Sequence, residues 1–451
     1  MTDIDTESSL AALWPALIED LKELVAIESV SADPARADQV GLCAQRVADW
    51  ARELGCPAVE VVDAGGGAPA VIARFPAPAG MPTVCLYAHH DVQPEGEPSQ
   101  WTSPPYVATD RDARLYGRGA GDDKGGIALH LAALRAYDGH PPVGVTLFVE
   151  GEEEIGSPTL GRLLAERRGE LAADVFVIAD SVNWGVGRPS FTTSLRGLAD
   201  CIVEVSTLDH GIHSGGYGGV VPDALTTLCR LLATLHDEHG NVAVEGLQIG
   251  SGPDLDYPLD RLRAETGLLD GVSWIGDGSV VERLWQRPAI AVIGLDTTPI
   301  ARASNTVIPT ARAKISLRLA PGDDADRALR LLTGHLQSHV SWGAQVRVTA
   351  GETGQPSRLE VTGRHAEVAR EAFRRAYGVD AVEIGQGGSI PMVAEFQQAF
   401  PDATVLVTAV CDPDSRMHGL DESVHLDDLR KACVAETLLL AGLAELGTQV
   451  R

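Results

Sequence analysis

TVCLYAHHD, residues Thr83–Asp91, is an apolar run with β-branched and aromatic members that stops abruptly at two histidines and an aspartate. A short run of this kind reads as a strand buried on both faces, as in a parallel sheet. Three further runs end in a comparable way: Val145–Val149 at the acidic cluster Glu150–Glu154, Asp174–Ala179 at Asp180, and Thr404–Val410 shortly before His418. In open α/β sheets ligands bind beyond the carboxyl ends of the strands, so these runs predict one crevice lined by imidazoles and carboxylates.

Working outward, Trp14, Leu17, Ile18, Leu21, Leu24 and Val25 recur at helical spacing, and a second helical pattern runs from Val40 towards Leu54. Apolar strands follow, separated by glycine- and proline-rich turns, and strands alternating with helices imply a largely parallel sheet with helices on both faces. The character changes near Arg196. Ala199–Ser206 and Ala311–Leu319 alternate apolar and polar residues, helices are expected after Pro222 and from about Asp324, and Gln345–Thr349 reads as another strand. This order predicts an inserted α+β, ferredoxin-like domain over residues 196–351, with one open sheet face. Residues 1–195 and 352–451 then form the α/β domain that carries the crevice.

The chain has 451 residues, 44% hydrophobic and 22% charged, which is ordinary for globular protein with two or more cores. A formal charge of −27 disfavours nucleic acid and anionic membrane as partners. The seven cysteines are widely spaced, with no C-x-x-C pair, and read as reduced thiols of a cytoplasmic protein. No basic-then-apolar leader and no apolar run long enough to span a bilayer is visible.

The motifs sharpen the crevice. His89 and Asp91 lie two apart at a strand end, so both side chains face one side and the carboxylate can hold the imidazole for a metal. His90 faces the other way, and spacing alone leaves open which ring is the ligand. In LYGRGAGDDKGG, Leu115–Gly126, adjacent aspartates precede a helix whose N-terminus favours anions. Taken alone, helix capping explains them; in this company, one of Asp122 and Asp123 is a candidate bridge between two cations. Carboxylates crowded as in EGEEEIGS repel one another unless cations or solvent intervene.

AHHDVQP, LYGRGAGDDKG, EGEEEIGS, HSGGYGG, TVIP, GGSIP and MHG together resemble the dinuclear metallopeptidases that include carnosine dipeptidases, aminoacylases, glutamate carboxypeptidases and succinyl-diaminopimelate desuccinylases. The similarity reaches from the first helix to His418 and looks strongest towards the cytosolic dipeptidase, or carnosinase, branch. It implies two divalent cations per chain, zinc first, with manganese or cobalt as alternatives. Asp122 would bridge them, with His89 and Asp180 on one ion and Glu154 and His418 on the other. Glu153 would be the general acid/base, Asp91 would support His89, and a cis peptide would join Asp122 to Asp123. Ala88 in place of the usual glycine, and HGLDE after the last ligand, depart from the pattern without removing a ligand.

The same resemblance points into the inserted domain. His213 would act on the reacting carbonyl, reaching it from the partner subunit of a homodimer built through that domain; His210 is a rival. Arg318 would clamp the substrate's carboxylate, and Thr306, Gly388 and Ser389 would add hydrogen bonds. The implied activity is hydrolysis of a dipeptide, or of a similar small amide beside a free carboxylate, by a metal-activated water. An N-acyl-amino-acid deacylase or succinyl-diaminopimelate desuccinylase is the alternative within the same chemistry. A metal-dependent phosphoesterase would want more cations around the phosphoryl oxygens than are visible. A non-catalytic peptide-binding relative would not need the full set of ligands plus Glu153.

Overall fold

The computed structural model describes residues 6–388 and 391–449, so Ser389 lies outside the described residues. The described residues divide into two compact units: 6–193 with 359–384 and 391–449, and 194–358 with 385–388. Residues 385–388 return to the second unit.

In the first unit the strands Gly144–Glu150, Thr83–His89, Val175–Ile178 and Thr404–Val407 lie side by side and all parallel. Antiparallel strands flank them: Ala58–Val62 and Ala70–Phe75 on one side, Ser190–Leu195 on the other. All of Thr83–His89 except Thr83 is buried, which is why the run shows no alternation. Its two faces meet different partners. Leu86 and Ala88 share a core with Ile127 and Leu131 of the helix Lys124–Ala136. Tyr87, pointing the opposite way, packs edge-on against Phe148 and Phe396, the latter from the helix Pro391–Ala399. Helices therefore cover both faces of the sheet. The first helix is Thr6–Val25, longer than its periodicity suggested, with Leu10, Leu17, Leu21 and Val25 in a second core beside Leu129 and Ala132.

Register brings the strand ends level. His89 pairs with Glu150, while Ile178 is the partner of both Tyr87 and Val407. Parallel direction and common register thus deliver His89, the residues after Glu150, Asp180 and the segment towards His418 to one edge.

The second unit has a four-stranded antiparallel sheet in the order Ala289–Asp296, Thr310–Leu319, Gly197–Ser206, Gln345–Gly354. With its helices Ala224–Ala233 and Ala325–His339 it is ferredoxin-like. The alternation of Thr310–Leu319 is met residue by residue: Ala311, Ala313, Ile315, Leu317 and Leu319 are buried against the helices. Two short helices, Leu259–Thr266 and Val280–Trp285, fill a stretch that the sequence left unassigned. No helix among the described residues is long and apolar enough to cross a membrane.

Candidate metal centre

Asp122 lies at the middle of the site, almost fully buried. One carboxylate oxygen is 3.1 Å from His89 Nε2 and the other 3.0 Å from His418 Nε2. His418 Nε2 is also 3.1 Å from Glu154 Oε2, and Asp180 Oδ1 is 3.9 Å from His89 Nε2. Two groups of donors capable of holding a cation result: His89, Glu153 and Asp180, and Asp122, Glu154 and His418, each with its donor atoms within 4.8 Å of one another. The neighbouring aspartates divide their tasks. Asp122 meets the imidazoles, whereas Asp123 caps the helix Lys124–Ala136, accepting from Gly126 N at 3.2 Å. The Asp122–Asp123 peptide is cis.

The ambiguity between the adjacent histidines resolves through their partners. His89 presents Nε2 to the acids, and its Nδ1 lies 3.0 Å from the Asp91 carbonyl oxygen and 3.4 Å from the Asp91 carboxylate. His90 is turned to the other face, with Nε2 at 2.8 Å from the Pro69 carbonyl, and burial lowers its pKa to about 4. Asp91 has a second task that spacing did not reveal. Its carboxylate accepts from Glu153 N at 3.2 Å and Glu154 N at 3.1 Å, so one buried acid orients both an imidazole and the glutamate pair.

The electrostatics suit cations. Burial, with repulsion from Asp180, raises the Glu153 carboxyl well above its ordinary range; burial with repulsion from Asp122 does the same to Asp180. Burial alone would also raise Asp122, yet the imidazoles of His418 and His89 hold it below the usual carboxylate range. The hydrogen bonds to Asp122 and Glu154 in turn raise His418 to about 10. A buried set of mutually repelling carboxylates with imidazole nitrogens aimed at their oxygens is a donor set for divalent metal, since a cation relieves the repulsion and releases the protons.

Residues not singled out by the sequence hold this arrangement. Gln93 donates Nε2 to Glu154 Oε2 at 2.9 Å, and its backbone N reaches Glu154 Oε1 at 3.1 Å. Glu422 accepts from the backbone N of Gly119, Gly121 and Asp122. Position in the motif DVQP was the available signal for Gln93. For Glu422 it was the end of HGLDE, although its contacts with the backbone of Gly119, Gly121 and Asp122 come only through the fold.

The profile of Peptidase family M20/M25/M40 matches residues 85–441. The chain belongs to this family. The cysteinylglycine-S-conjugate dipeptidase of Corynebacterium striatum is 35% identical over 437 residues, covering 94% of each chain. The human Beta-Ala-His dipeptidase is 28% identical, over 90% of this chain and 86% of that one. Among solved structures, the M20 family metallo-carboxypeptidase Sso-CP2 from Sulfolobus solfataricus superposes with a TM-score of 0.81 at 25% identity, covering 95% of this chain and 99% of its own. Human carnosine dipeptidase 1 superposes at 0.82 with 24% identity, covering 98% of both chains, which shows the shared fold. This M20 peptidase is thus a hydrolase of a metallopeptidase family, with donor groups for metal at the strand edge where the sequence expected them.

The remaining candidates belong to the second unit. His213 and Thr306 are register partners on a two-stranded ladder, and His213 Nδ1 accepts from Gly216 N at 3.1 Å. His210 is exposed and paired with Asp209. Arg318 lies on Thr310–Leu319, and Gly388 lies two residues after Gln386, the end of the strand Val382–Gln386.

Proposed function

We propose that this chain is a dipeptidase that cleaves the peptide bond next to a free carboxylate, using two divalent cations, zinc first, held by His89, Asp122, Glu154, Asp180 and His418. The observation that carries this reading is Asp122, whose two oxygens face imidazoles from opposite ends of the chain with Glu153 and Glu154 beside them. The similarity to the Corynebacterium striatum dipeptidase supports the substrate class. When bound, the cations supply Lewis acidity towards water and the substrate carbonyl. Glu153 takes a proton from the attacking water and returns it to the leaving amine, a task that needs a carboxyl whose pKa is pulled towards neutrality. Asp91 fixes the Glu153 backbone and the His89 ring, so that neither drifts between turnovers.

The inserted unit serves as lid and dimer contact in this reading. Its edge strand Ala289–Asp296 leaves Val292, Ile293 and Leu295 exposed, an apolar edge of the kind that a second copy covers. His213 then acts on the carbonyl oxygen from the partner subunit, Arg318 binds the carboxylate, and Thr306, Gly388 and Ser389 bind the substrate backbone. A cytoplasmic site of action fits the unpaired, mostly buried cysteines.

The test is a panel of dipeptides and N-acetyl and N-succinyl amino acids with metal-stripped protein reloaded with zinc, manganese or cobalt. Dipeptide cleavage restored by metal supports the reading. Preferential cleavage of the acylated amino acids replaces it with the deacylase or desuccinylase.

A further inference from the structure

The second unit contains a cavity of about 130 Å³, lined from the loop after His236, from Ile249 and Ile275, and from the segment Arg283 to Ile290. Its walls are fastened to one another. Gly276 N donates to the His239 carbonyl at 2.7 Å, Asp277 N donates to Asn241 Oδ1 at 2.9 Å, and Asn241 Nδ2 donates to Asp277 Oδ2 at 2.8 Å. Gly240 has a positive φ, and a Cβ built on it would fall 2.7 Å from the Ile275 Cβ, so the two loops close up only because glycine stands there. On the third side Arg283 donates Nη1 to the Ile275 carbonyl at 2.9 Å.

Two polar side chains of the lining take no part in that fastening. Arg287 makes no hydrogen bond among the described residues, and its Nε is buried without an acceptor. The carboxylate within 4 Å of it, Glu282, is 3.8 Å away, beyond hydrogen-bond distance, and the same oxygen already accepts from Ser279 N at 3.0 Å. The half-buried His236 ring has no hydrogen-bond partner among the described residues either. Beside these groups the lining is apolar, with Val242, Pro288 and Ile290 joined by Ile249 and Ile275, which are 63% and 66% exposed. A guanidinium short of acceptors next to uncovered isoleucines suits an anion with a compact apolar body. A bare inorganic anion would leave the isoleucines in water, and a neutral molecule would leave the charge unpaired.

We infer that this cavity is a second binding site, for a small carboxylate with a branched apolar body: Arg287 holds the carboxylate, His236 stands beside it, and Ile249, Ile275 and Ile290 enclose the body. All five residues belong to the second unit, and none is among the donor groups for metal. The lining includes no carboxylate among the described residues, so the ammonium group of a free amino acid finds no counter-charge there. The site takes a monoanion.

The test uses spectra of the zinc-loaded full chain labelled at its isoleucine methyls, with Ile249, Ile275 and Ile290 assigned by substitution with valine. Isovalerate and isovaleramide are the probes. Expected are saturable shifts of these three methyls with isovalerate, and binding roughly ten- to hundredfold weaker for the amide on the wild type and for the acid on Arg287→Met. Arg287→Gln, closer in shape, decides if the methionine variant fails to fold. Shifts confined to isoleucines outside the cavity, as from a carboxylate lodged on the metals, overturn the site. So does an amide that binds as tightly as the acid, or acid binding unchanged by loss of the guanidinium. Turnover plays no part in the readout, so failure here leaves the dipeptidase reading standing.

Discussion

The Arg118 guanidinium lies 2.6 Å from the Glu422 carboxylate, and both side chains are almost wholly buried. Arg118 also donates to the carbonyls of Pro94 and Gly419, while Glu422 accepts from the backbone N of Gly119, Gly121 and Asp122 at 3.1–3.2 Å. One buried pair thus ties together the segments that follow His89, precede Asp122 and follow His418.

Loosening this hub should act on metal before it acts on fold. Glu422→Gln keeps the shape and one acceptor, and is expected to weaken metal binding about 10- to 100-fold with a cooperative unfolding transition retained. Chelator competition measures it. Arg118→Met leaves an uncompensated buried carboxylate and should cost about 3–5 kcal/mol in denaturant unfolding. Unchanged metal affinity in Glu422→Gln would show that the hub serves the fold alone.

Glu153 donates to Asp91 through its backbone N, and its side chain makes no hydrogen bond among the described residues, so the side chain can be altered without dismantling the site. Glu153→Gln is expected to retain two metals per chain by elemental analysis and to lose about 10²–10⁴-fold in kcat. Turnover at the wild-type rate would refute its role as proton carrier.

Metal uptake should expel protons. In the stripped protein Glu153 and Asp180 are raised above the ordinary carboxyl range, first by burial, so they hold protons more tightly than free carboxyls, and His418, raised to about 10, carries one at neutral pH. A divalent cation displaces those protons, and its affinity falls as pH falls. Calorimetric titrations in buffers of different ionisation enthalpy should show a net release; heats independent of buffer would contradict the donor set.

Glu150 offers a pH test outside the donor groups. Burial raises it to about 7, against the opposing hydrogen bonds from Tyr87 and Ser157. A carboxyl raised in the folded state supports stability fully below its unfolded pKa of about 4.5, and the contribution is lost as pH rises through about 7. From pH 5 to pH 8 the stripped wild type should therefore lose up to about 3 kcal/mol that Glu150→Gln does not lose. Urea midpoints of both proteins at the two pH values decide it, and parallel pH profiles would sink the assignment.

If His213 acts across a dimer, neither His213→Ala nor Glu153→Ala alone should turn over, and mixing the two should restore a measurable fraction of activity. Mixed chains that stay inactive while forming dimers by light scattering would place His213 within its own chain's site.

Much of the centre was legible because His89, Glu154 and Asp180 stand at or just beyond strand ends and Asp122 just before a helix. An apolar run buried on both faces loses its alternation and stops where the crevice begins, so Thr83–His89 and Val145–Val149 announced themselves and their terminal residues together. The alternating strand Thr310–Leu319 was equally plain, because only one of its faces is covered. Arg118 and Glu422, although they lie in LYGRGAGDDKG and HGLDE, gave no sign of their burial. Each is a charge that local pattern assigns to solvent, and each is buried through partners far away in the chain.

The sequence by itself determined which residue types arrive at the sheet edge, since strand composition and the punctuation after each strand are local properties. Only the tertiary structure decided which of two adjacent residues faces the site: His89 over His90, and Asp122 for the imidazoles with Asp123 for the helix. The physical reason is that a side chain's direction follows from strand register and from the partner that satisfies it once water is excluded, and both are fixed only when distant segments pack.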